Sequence, residues 1–205
     1  MPGTKAAEAE RREQMLRAAA VVAAKRGLAS LTIRDVAVRA QLSPGLVLFH
    51  FGSKDSLILA LVDWMLATTT ILHVGPDILS IESPMERLLA LIRQEMVRLS
   101  SEPARIRLFF DFWSVGIWNR TIRVRMQREL DRYREAFRPI AAEVLAAEPH
   151  RFPGVTVDGL AAVAVSFIKG CAVQSMIEPH LDIDEFLAAV EGLLEQRATR
   201  HAAAR

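Results

Sequence analysis

The chain of 205 residues has little that would cross-link it covalently or hold it in a membrane. Cys171 is the only cysteine, which excludes an intramolecular disulfide and a zinc site built from several cysteines. No apolar run reaches the roughly 20 residues that a membrane-spanning helix needs. Residues 1–25 mix acids and bases over alanines, unlike a signal peptide with its apolar centre. These absences predict a globular cytoplasmic protein with no membrane association.

Sequence motifs of the common enzyme classes are also missing. The chain has no Gly-rich phosphate loop, no Gly-x-Ser-x-Gly and no His-Glu-x-x-His. His180, Asp182 and Asp184 are of metal-ligand type, but such a cluster at a predicted helix start more often caps the helix. We therefore expect a protein that is not an enzyme and that has no cofactor and no metal site.

Strand signals are nearly missing, whereas helical periodicity extends over almost the whole chain. There is little strict alternation of polar and apolar residues, and no Asn-Gly or Asp-Gly hairpin turn. Glycine and proline divide the pattern into about nine helices. The predicted helices are 8–26, 32–40, 43–51, 53–72, 84–99, 103–115, 118–146, 157–177 and 183–196. The sequence therefore predicts an all-α protein.

The first sixty residues differ from the rest in charge and in helix length. Nine lysines and arginines face five acids there, a net charge of +4, while the remaining residues carry −2. The two short helices over 32–51, joined by the turn Gln41-Leu42, have the size of a helix-turn-helix, whose second helix lies in the DNA major groove. The residues predicted to be buried are Ile33, Val36, Ala37, Leu42 and Val47 or Leu48, against Leu16, Ala19 and Val22.

Residues at the ends of these short helices are candidates for contacts with DNA. Ser43 is the predicted N-cap of the second helix, whose first turn is then free to meet base edges. His50 is predicted to point outward between Phe49 and Phe51, which anchor it to the core. Lys54 opens the next helix, whose free amides and ammonium are suited to hold a phosphate. The alternative is that His50 caps a buried corner and Lys54 is merely solvated.

The stretch LTIRDVAVRAQLSPGLVLFHFGSKDSLI, residues 31–58, resembles the N-terminal signature of TetR-family transcriptional regulators. That signature reads Thr-x-Arg-Asp-Ile-Ala, then Ala-Gly-Val-Ser-x-Gly-x-x-Tyr-x-His-Phe, then x-x-Lys-x-x-Leu. The residues in register are Thr32, Arg34, Asp35, Val36, Ala37, Ala40, Ser43, Gly45, His50, Phe51, Lys54 and Leu57. The resemblance implies a three-helix DNA-binding head over 1–60 and a helical effector-binding and dimerisation body over 61–197. Residues 198–205 have no apolar face and are expected to be a disordered tail.

The resemblance also implies a function and a set of contacts. It implies a repressor that binds a palindromic DNA operator as a homodimer and responds to a small-molecule effector of unknown identity. The implied phosphate contacts are Thr32, His50 and Lys54. The implied base contacts are Arg34, Gln41, Pro44, Leu46 and Val47, with apolar contact to thymine methyl groups expected.

Two departures from the family signature affect the head. The turn glycine of the family is Gln41 here, so a non-glycine residue is expected to hold a left-handed conformation at a cost of about 1 kcal/mol. The tyrosine of the family's recognition helix is Leu48, which has no hydroxyl for a phosphate. Binding to the DNA phosphates is therefore expected to depend more on Thr32, His50 and Lys54.

Residues 157–177 are apolar nearly all round and rich in alanine and glycine, as in a helix buried on two sides. With 183–194 they are predicted to form a four-helix interface across a two-fold axis; a central helix of a monomer is the alternative. The predicted interface residues are Leu160, Val163, Phe167, Cys171, Phe186 and Val190. This region resembles the C-terminal part of BetI-like members of the family, which are tied to choline metabolism.

Residues 107–120, RLFFDFWSVGIWNR, hold five aromatic residues and one acid. Aromatic residues at helical spacing usually form a core, and the alternative is an effector pocket. The predicted pocket residues are Trp64, Phe109, Asp111, Phe112, Trp113 and Trp118. Asp111 would face a cationic ligand or pair with an arginine. A ligand at Trp64 is predicted to tilt the helix that begins at Lys54, and so to change the spacing of the two recognition helices.

The following segment, 119–138, carries seven arginines. A second nucleic-acid surface is one interpretation, but we favour a solvated helix with ion pairs such as Arg125 with Glu129. The two other classes of function are an enzyme and a helical adaptor that binds only protein. Neither would need the ordered signature between Thr32 and Lys54.

Overall fold

A computed structural model describes residues 2–69, 74–178 and 180–202, and the side chains within 7–193 of these ranges. Over this part of the chain the fold is all-α, as predicted, with ten α-helices, one 3-10 turn and no strand. The helices are α1 (Pro2–Arg26), α2 (Ile33–Ala40), α3 (Pro44–Phe51), α4 (Lys54–Ala67), α5 (Pro76–Leu79), α6 (Pro84–Ser100), α7 (Pro103–Trp118), α8 (Arg120–Ala147), α9 (Val157–Gln174) and α10 (Ile183–Ala202). The 3-10 turn, Leu28–Ser30, follows α1.

Short hydroxyl residues fix the starts of five of these ten helices. The side chains of Thr32, Ser43 and Ser53 each accept a backbone N–H three residues on, at the starts of α2, α3 and α4. Ser83 and Thr156 do the same for α6 and α9. These caps explain why most predicted helix starts agree with the structure. The helix that the sequence did not predict is α5, which is only four residues long.

The chain forms two compact units. Of the described residues, the N-terminal unit contains 2–69 and 104–129, and the C-terminal unit contains 74–103, 130–178 and 180–202. The boundary predicted at residue 60 falls inside α4, because this continuous helix buries Leu57, Leu61 and Met65 in one core. The structure therefore groups α7 and the start of α8 with the three-helix head.

The core of the N-terminal unit joins the head to α4, α7 and α8. Met15 and Ala19 of α1 and Val47 of α3 are fully buried there, together with Phe112 of α7. The sequence left the buried position of α3 open between Val47 and Leu48. The structure buries Val47 and leaves Leu48 exposed.

The C-terminal unit contains α5, α6, α9, α10 and the larger part of α8, and it encloses a charged cluster. Glu95 is fully buried, and its carboxylate accepts hydrogen bonds from Arg98 at 3.0 and 2.6 Å and from the Tyr133 hydroxyl. The ammonium of Lys169 lies 4.2 Å from the centre of the Tyr133 ring. Burial raises the pKa of Tyr133, and the neighbouring Glu95 charge raises it further. The hydroxyl therefore stays protonated and donates to the carboxylate.

Two features of the last helices differ from the sequence prediction. The length and composition of α9 would allow it to cross a membrane. The core helix of a soluble protein can have the same length and composition. In this fold α9 buries one face in the core of its own unit. The tail predicted from residue 198 begins inside α10, which continues through Ala202 because its last turns contain no glycine or proline. Residues 203–205 lie outside the described residues.

Candidate DNA interface and effector region

The turn between α2 and α3 has the conformation that the sequence predicted. Gln41 lies in the left-handed region, with φ 57° and ψ 42°, and is the one non-glycine residue of positive φ among those described. This conformation lets the N–H of Leu42 donate to the carbonyl of Ala37 at 2.9 Å, which ends α2. The side-chain amide of Gln14 donates to the carbonyl of Ala40 at 3.0 Å and ties α1 to the same turn.

The recognition helix α3 exposes a different set of residues from the one predicted. Pro44 is exposed and Leu46 is half-buried, so both remain candidates for base contact. Val47 is fully buried, so its predicted base contact is wrong: its side chain fills the core of the head. Phe51 is buried as predicted, but Phe49 is 80% exposed and does not anchor His50 to the core.

His50 is half-buried at the end of α3 and is held from two sides. Its ring meets Phe49 edge to face at 5.5 Å between centroids, and its carbonyl accepts from the Arg12 guanidinium at 3.0 Å. That guanidinium also lies 4.3 Å from the centre of the Phe51 ring. The end of the recognition helix is therefore fixed to α1.

The other predicted phosphate contacts lie at two helix starts. The Thr32 hydroxyl donates to the Asp35 carboxylate at 2.6 Å, and this bond holds the pKa of Asp35 below its usual range, with help from Arg26. The ammonium of Lys54 donates to the carbonyl of Ala29 at 3.2 Å, at the 3-10 turn. This bond uses one of its three protons, and the others remain for an anion.

The predicted base contacts Arg34 and Gln41 are both exposed on the surface of the head. Arg34 lies in the first turn of α2, and Gln41 lies in the turn before α3. The structure therefore leaves both side chains accessible to DNA.

The predicted pocket residues divide into three groups. Phe109 and Phe112 are buried in the core of the N-terminal unit, and Trp64 and Trp113 are half-buried against it, with 5.8 Å between the Phe109 and Trp113 ring centres. Trp118 is 88% exposed, because it ends α7 at the turn into α8, so its placement in the pocket is wrong. The indole Nε1 of Trp64 is buried with no hydrogen-bond acceptor in the described part of the chain.

Asp111 has a partner that neither prediction named, and it forms no ion pair with an arginine in the described part of the chain. Its carboxylate accepts the backbone N–H of Leu28 at 3.0 Å, just after the end of α1. Arg107 of the same helix donates to the carbonyl of Ala24 at 3.3 Å. These two bonds attach α7 to the last turn of α1 and to the 3-10 turn that follows it.

Polar contacts also attach α4 to α7 and α8. Arg105 of α7 donates to the carbonyl of Met65 at 2.9 Å and to the Thr69 hydroxyl at 2.6 Å. Arg125 of α8 pairs with Asp63 through two bonds of 2.6 and 3.1 Å. The ion pair predicted between Arg125 and Glu129 is therefore wrong.

One cavity of this unit was not predicted from the sequence. It has a volume of about 400 Å³ and lies between the 3-10 turn, the start of α4 and the α7–α8 turn. Its lining residues are Leu28, Ala29, Lys54, Asp55, Ile58, Leu59, Val115, Asn119, Thr121 and Ile122. None of the six predicted pocket residues lines it, because they pack on the opposite, core-facing sides of their helices or end α7.

The predicted dimer residues also divide between core and surface. Leu160, Cys171 and Val190 are buried in the single chain, so their placement in an interface is wrong. Val163 is 44% exposed, and Phe167 and Phe186 are half-buried with their rings edge to face at 6.3 Å. Burial also raises the pKa of the Cys171 thiol.

The surface of α9 that faces away from its own core is nearly free of charge. Val163, Ser166, Gly170 and Gln174 follow one another at spacings of three and four residues along it. Beyond the helix, Ile177 is 81% exposed, and Leu193 of α10 is 65% exposed. This outer stripe of α9, Val163 to Gln174, is the surface that remains available for a partner.

Asp182 has the capping role that the sequence favoured over metal binding. Its carboxylate accepts the backbone N–H groups of Asp184 and Glu185 at 2.9 and 3.0 Å, at the start of α10. The Asp184 side chain pairs with Arg93 of α6. Both carboxylates therefore have structural partners.

Two family models match this sequence. Residues 15–61 match the model described as bacterial regulatory proteins, tetR family. Residues 84–199, more than half of the chain, match the model described as BetI-type transcriptional repressor, C-terminal. The first match contains the helix-turn-helix, and the second contains α6 to α9 and most of α10.

Curated relatives match over different lengths. An HTH-type transcriptional repressor of Mycobacterium tuberculosis, Rv3405c, is 39% identical over 74 residues, which are 36% of this chain and 39% of that protein. The chain thus spans about two fifths of the length of that relative. The HTH-type transcriptional regulator BetI 1 of Chromohalobacter salexigens is 26% identical over 196 residues, 94% of each chain.

Solved structures have the same fold at lower identity. A putative transcriptional regulator from Saccharomonospora viridis in complex with choline has a TM-score of 0.67 and 19% identity, over 91% of this chain and 96% of that one. The regulator FadR from Bacillus subtilis in complex with stearoyl-CoA also has a TM-score of 0.67, with 17% identity over 90% and 96% of the chains. At these identities the likeness establishes the fold.

Proposed function

Because the chain belongs to the TetR family of bacterial regulatory proteins and is a DNA-binding transcriptional regulator, we propose that it is a repressor that responds to an effector. It binds a palindromic operator in the cytoplasm as a homodimer. The observation that carries this proposal is the capped helix-turn-helix, with the left-handed turn at Gln41 and an exposed face on α3. The net positive charge of the first sixty residues supports a polyanionic partner.

In the proposed complex α3 lies in the major groove and the helix starts contact the backbone. Thr32, His50 and Lys54 hold phosphates on either side of the groove. Pro44 and Leu46 in the first turn of α3, with Arg34 and Gln41 beside it, meet the base edges. A dimer places one such head on each half-site, so an inverted repeat in the operator matches the two-fold axis of the protein.

The outer stripe of α9 supports the homodimer. Its small and apolar residues allow a second copy to approach closely, and no charged side chain has to be desolvated along it. Repression as the sign of regulation is supported by the repressor names of the matching family and of the mycobacterial relative.

The proposed effector site, the aromatic cluster, comprises Trp64 of α4 and the neighbouring rings of Phe109 and Trp113 of α7, which all pack in the core of the N-terminal unit. The buried indole N–H of Trp64 offers a hydrogen bond that nothing in the described part of the chain accepts. The two ligand complexes of related folds, with choline and with stearoyl-CoA, support the presence of a small-molecule site. We expect the effector to have an apolar or aromatic surface that packs on these rings, and a hydrogen-bond acceptor for the Trp64 N–H.

Polar contacts within the N-terminal unit supply the coupling that such an effector needs. A ligand that displaces α7 also displaces the 3-10 turn after α1, because Asp111 holds the N–H of Leu28. It also moves α4, because Arg105 holds the carbonyl of Met65. The effector releases DNA if it binds the displaced arrangement more tightly than the DNA-bound one.

The role of Lys54 is tested by the variant Lys54→Ala. It should weaken binding to specific and unspecific duplexes alike and lower the slope of log K against log salt by about one per half-site, because one phosphate contact is lost. The measurement is fluorescence anisotropy of a labelled duplex at four or more salt concentrations. Melting curves check that loss of the bond to Ala29 leaves the head folded.

The matched control is Arg128→Ala, which removes an exposed positive charge from α8 in the same unit. Affinity and salt slope should stay at the wild-type values, because α8 lies outside the helix-turn-helix. An unchanged slope for Lys54→Ala would contradict the proposed phosphate contact. An equal change for Arg128→Ala would instead favour a second nucleic-acid surface on α8.

A further inference from the structure

The centre of the exposed face of α3 is a phenylalanine. At about 100° per residue, Phe49 lies roughly opposite the midpoint between the buried Val47 and Phe51. It is 80% exposed, although a phenylalanine ring is normally among the more buried side chains. Phe49 is therefore the most exposed large apolar side chain of α3.

Gly45 lies one turn before Phe49 on the same face. A Cβ atom at this glycine would meet only the Ser43 hydroxyl oxygen, at 4.0 Å, so the helix has an open notch there. The notch lets the backbone of α3 approach the base edges without a side chain between them. A close approach at Gly45 brings the ring of Phe49 to the floor of the groove one turn further along.

This helix has almost nothing with which to read bases by hydrogen bonds. Its sequence is PGLVLFHF, in which His50 is the one polar side chain. His50 is half-buried at the end of the helix, and the Ser43 hydroxyl is occupied as the cap of α3, accepting the N–H of Leu46 at 3.2 Å. Direct readout by α3 therefore has to use apolar contacts.

The apolar group that the major groove offers is the C5-methyl group of thymine. We propose that Phe49, flanked by Leu46, recognises a thymine methyl group in each operator half-site and is a main determinant of sequence preference. The edge-to-face contact with His50 holds the ring in place before DNA binds. This inference rests on the proposed function and names the base chemistry that the recognition helix reads.

The test uses a duplex that the wild-type protein enriches from a random library, synthesised with thymine and again with uracil in place of thymine. Removal of the methyl group should weaken wild-type binding about fourfold per half-site, the effect expected for one buried methyl group. For two half-sites the expected loss is about sixteenfold. Phe49→Ala should lose clearly less affinity than the wild-type protein on this replacement, because its own methyl contact is already gone.

Two controls separate the reading role from folding and from general effects of uracil on DNA. Phe49→Ala should melt at the wild-type temperature, because the ring is largely exposed. Trp118→Ala removes an aromatic side chain of similar exposure from the same unit but outside the helix-turn-helix. It should keep the full wild-type sensitivity to uracil.

Each outcome decides the proposal. Equal binding of the two duplexes by the wild-type protein would overturn methyl recognition. If the replacement of thymine by uracil lowers the affinity of the wild-type protein and of Phe49→Ala equally, the assignment to Phe49 is overturned. Either result leaves the proposed DNA-binding function intact, whereas failure to enrich any sequence would remove that function and this inference together.

Discussion

Val163→Asp should convert the protein from a dimer to a monomer and weaken operator binding by about 100-fold or more, through loss of the second head. Val163 lies on the outer stripe of α9, where the proposed partner would cover it. A carboxylate there would be buried without a partner, which costs several kcal/mol. Light scattering at micromolar concentration gives the oligomeric state, and anisotropy with the same sample gives the affinity for the operator duplex.

The control for this variant is Val97→Asp, which places the same charge on an exposed valine of α6. It should remain a dimer and bind DNA as the wild-type protein does. A wild-type protein that is monomeric at micromolar concentration would contradict the homodimer. A dimeric Val163→Asp would instead place the interface on another surface.

Phe112→Ala should lower the free energy of unfolding by about 3–5 kcal/mol, the range for removal of a buried aromatic side chain. The ring has no exposed surface and lies in the core that joins the head to α7. Urea denaturation of wild type and variant measures the difference. A loss below about 1 kcal/mol would show that the ring faces a space which solvent or ligand can fill.

Substitutions of two tryptophans separate core packing from a role in the effector site. Trp118→Ala should change the free energy of unfolding by no more than about 0.5 kcal/mol, because the side chain is exposed. Trp64→Ala should remove the response to the effector while the head still binds DNA. If Trp64→Ala merely unfolds the protein, the aromatic cluster is core and the proposed effector site loses its support.

The signals that predicted the fold correctly are local ones. Thr32, Ser43 and Ser53 start helices because their own side chains satisfy nearby amides, which depends on few residues. The left-handed turn at Gln41 followed from the family resemblance, because the signature has a glycine at this position. Such features can be read without knowledge of the tertiary structure.

The wrong predictions concern which face of a helix is buried, because that depends on residues distant in sequence. Residues 157–177 are apolar nearly all round, so periodicity could not tell which side of α9 faces its own core. The structure turns Leu160 and Cys171 inward and leaves Val163 outside. Asp111 has its partner at Leu28, and no local pattern indicates a bond over that separation.

The recognition helix shows the same limit at a shorter range. The eight residues of α3 are apolar apart from His50, so the pattern allowed either Val47 or Leu48 to be buried. Packing of α3 against α2 and α4 selects Val47, and that choice turns Phe49 outward. The residue that we assign to base recognition therefore could be identified only once the tertiary packing was known.

Sequence-specific DNA binding by a dimer is the central claim, and selection from a random duplex library with the full chain tests it most directly. The claim predicts that sequencing of the bound fraction returns an inverted repeat, with half-site centres about one helical turn apart or a multiple of it. Recovery of a random population, or of a single half-site without its repeat, would contradict it.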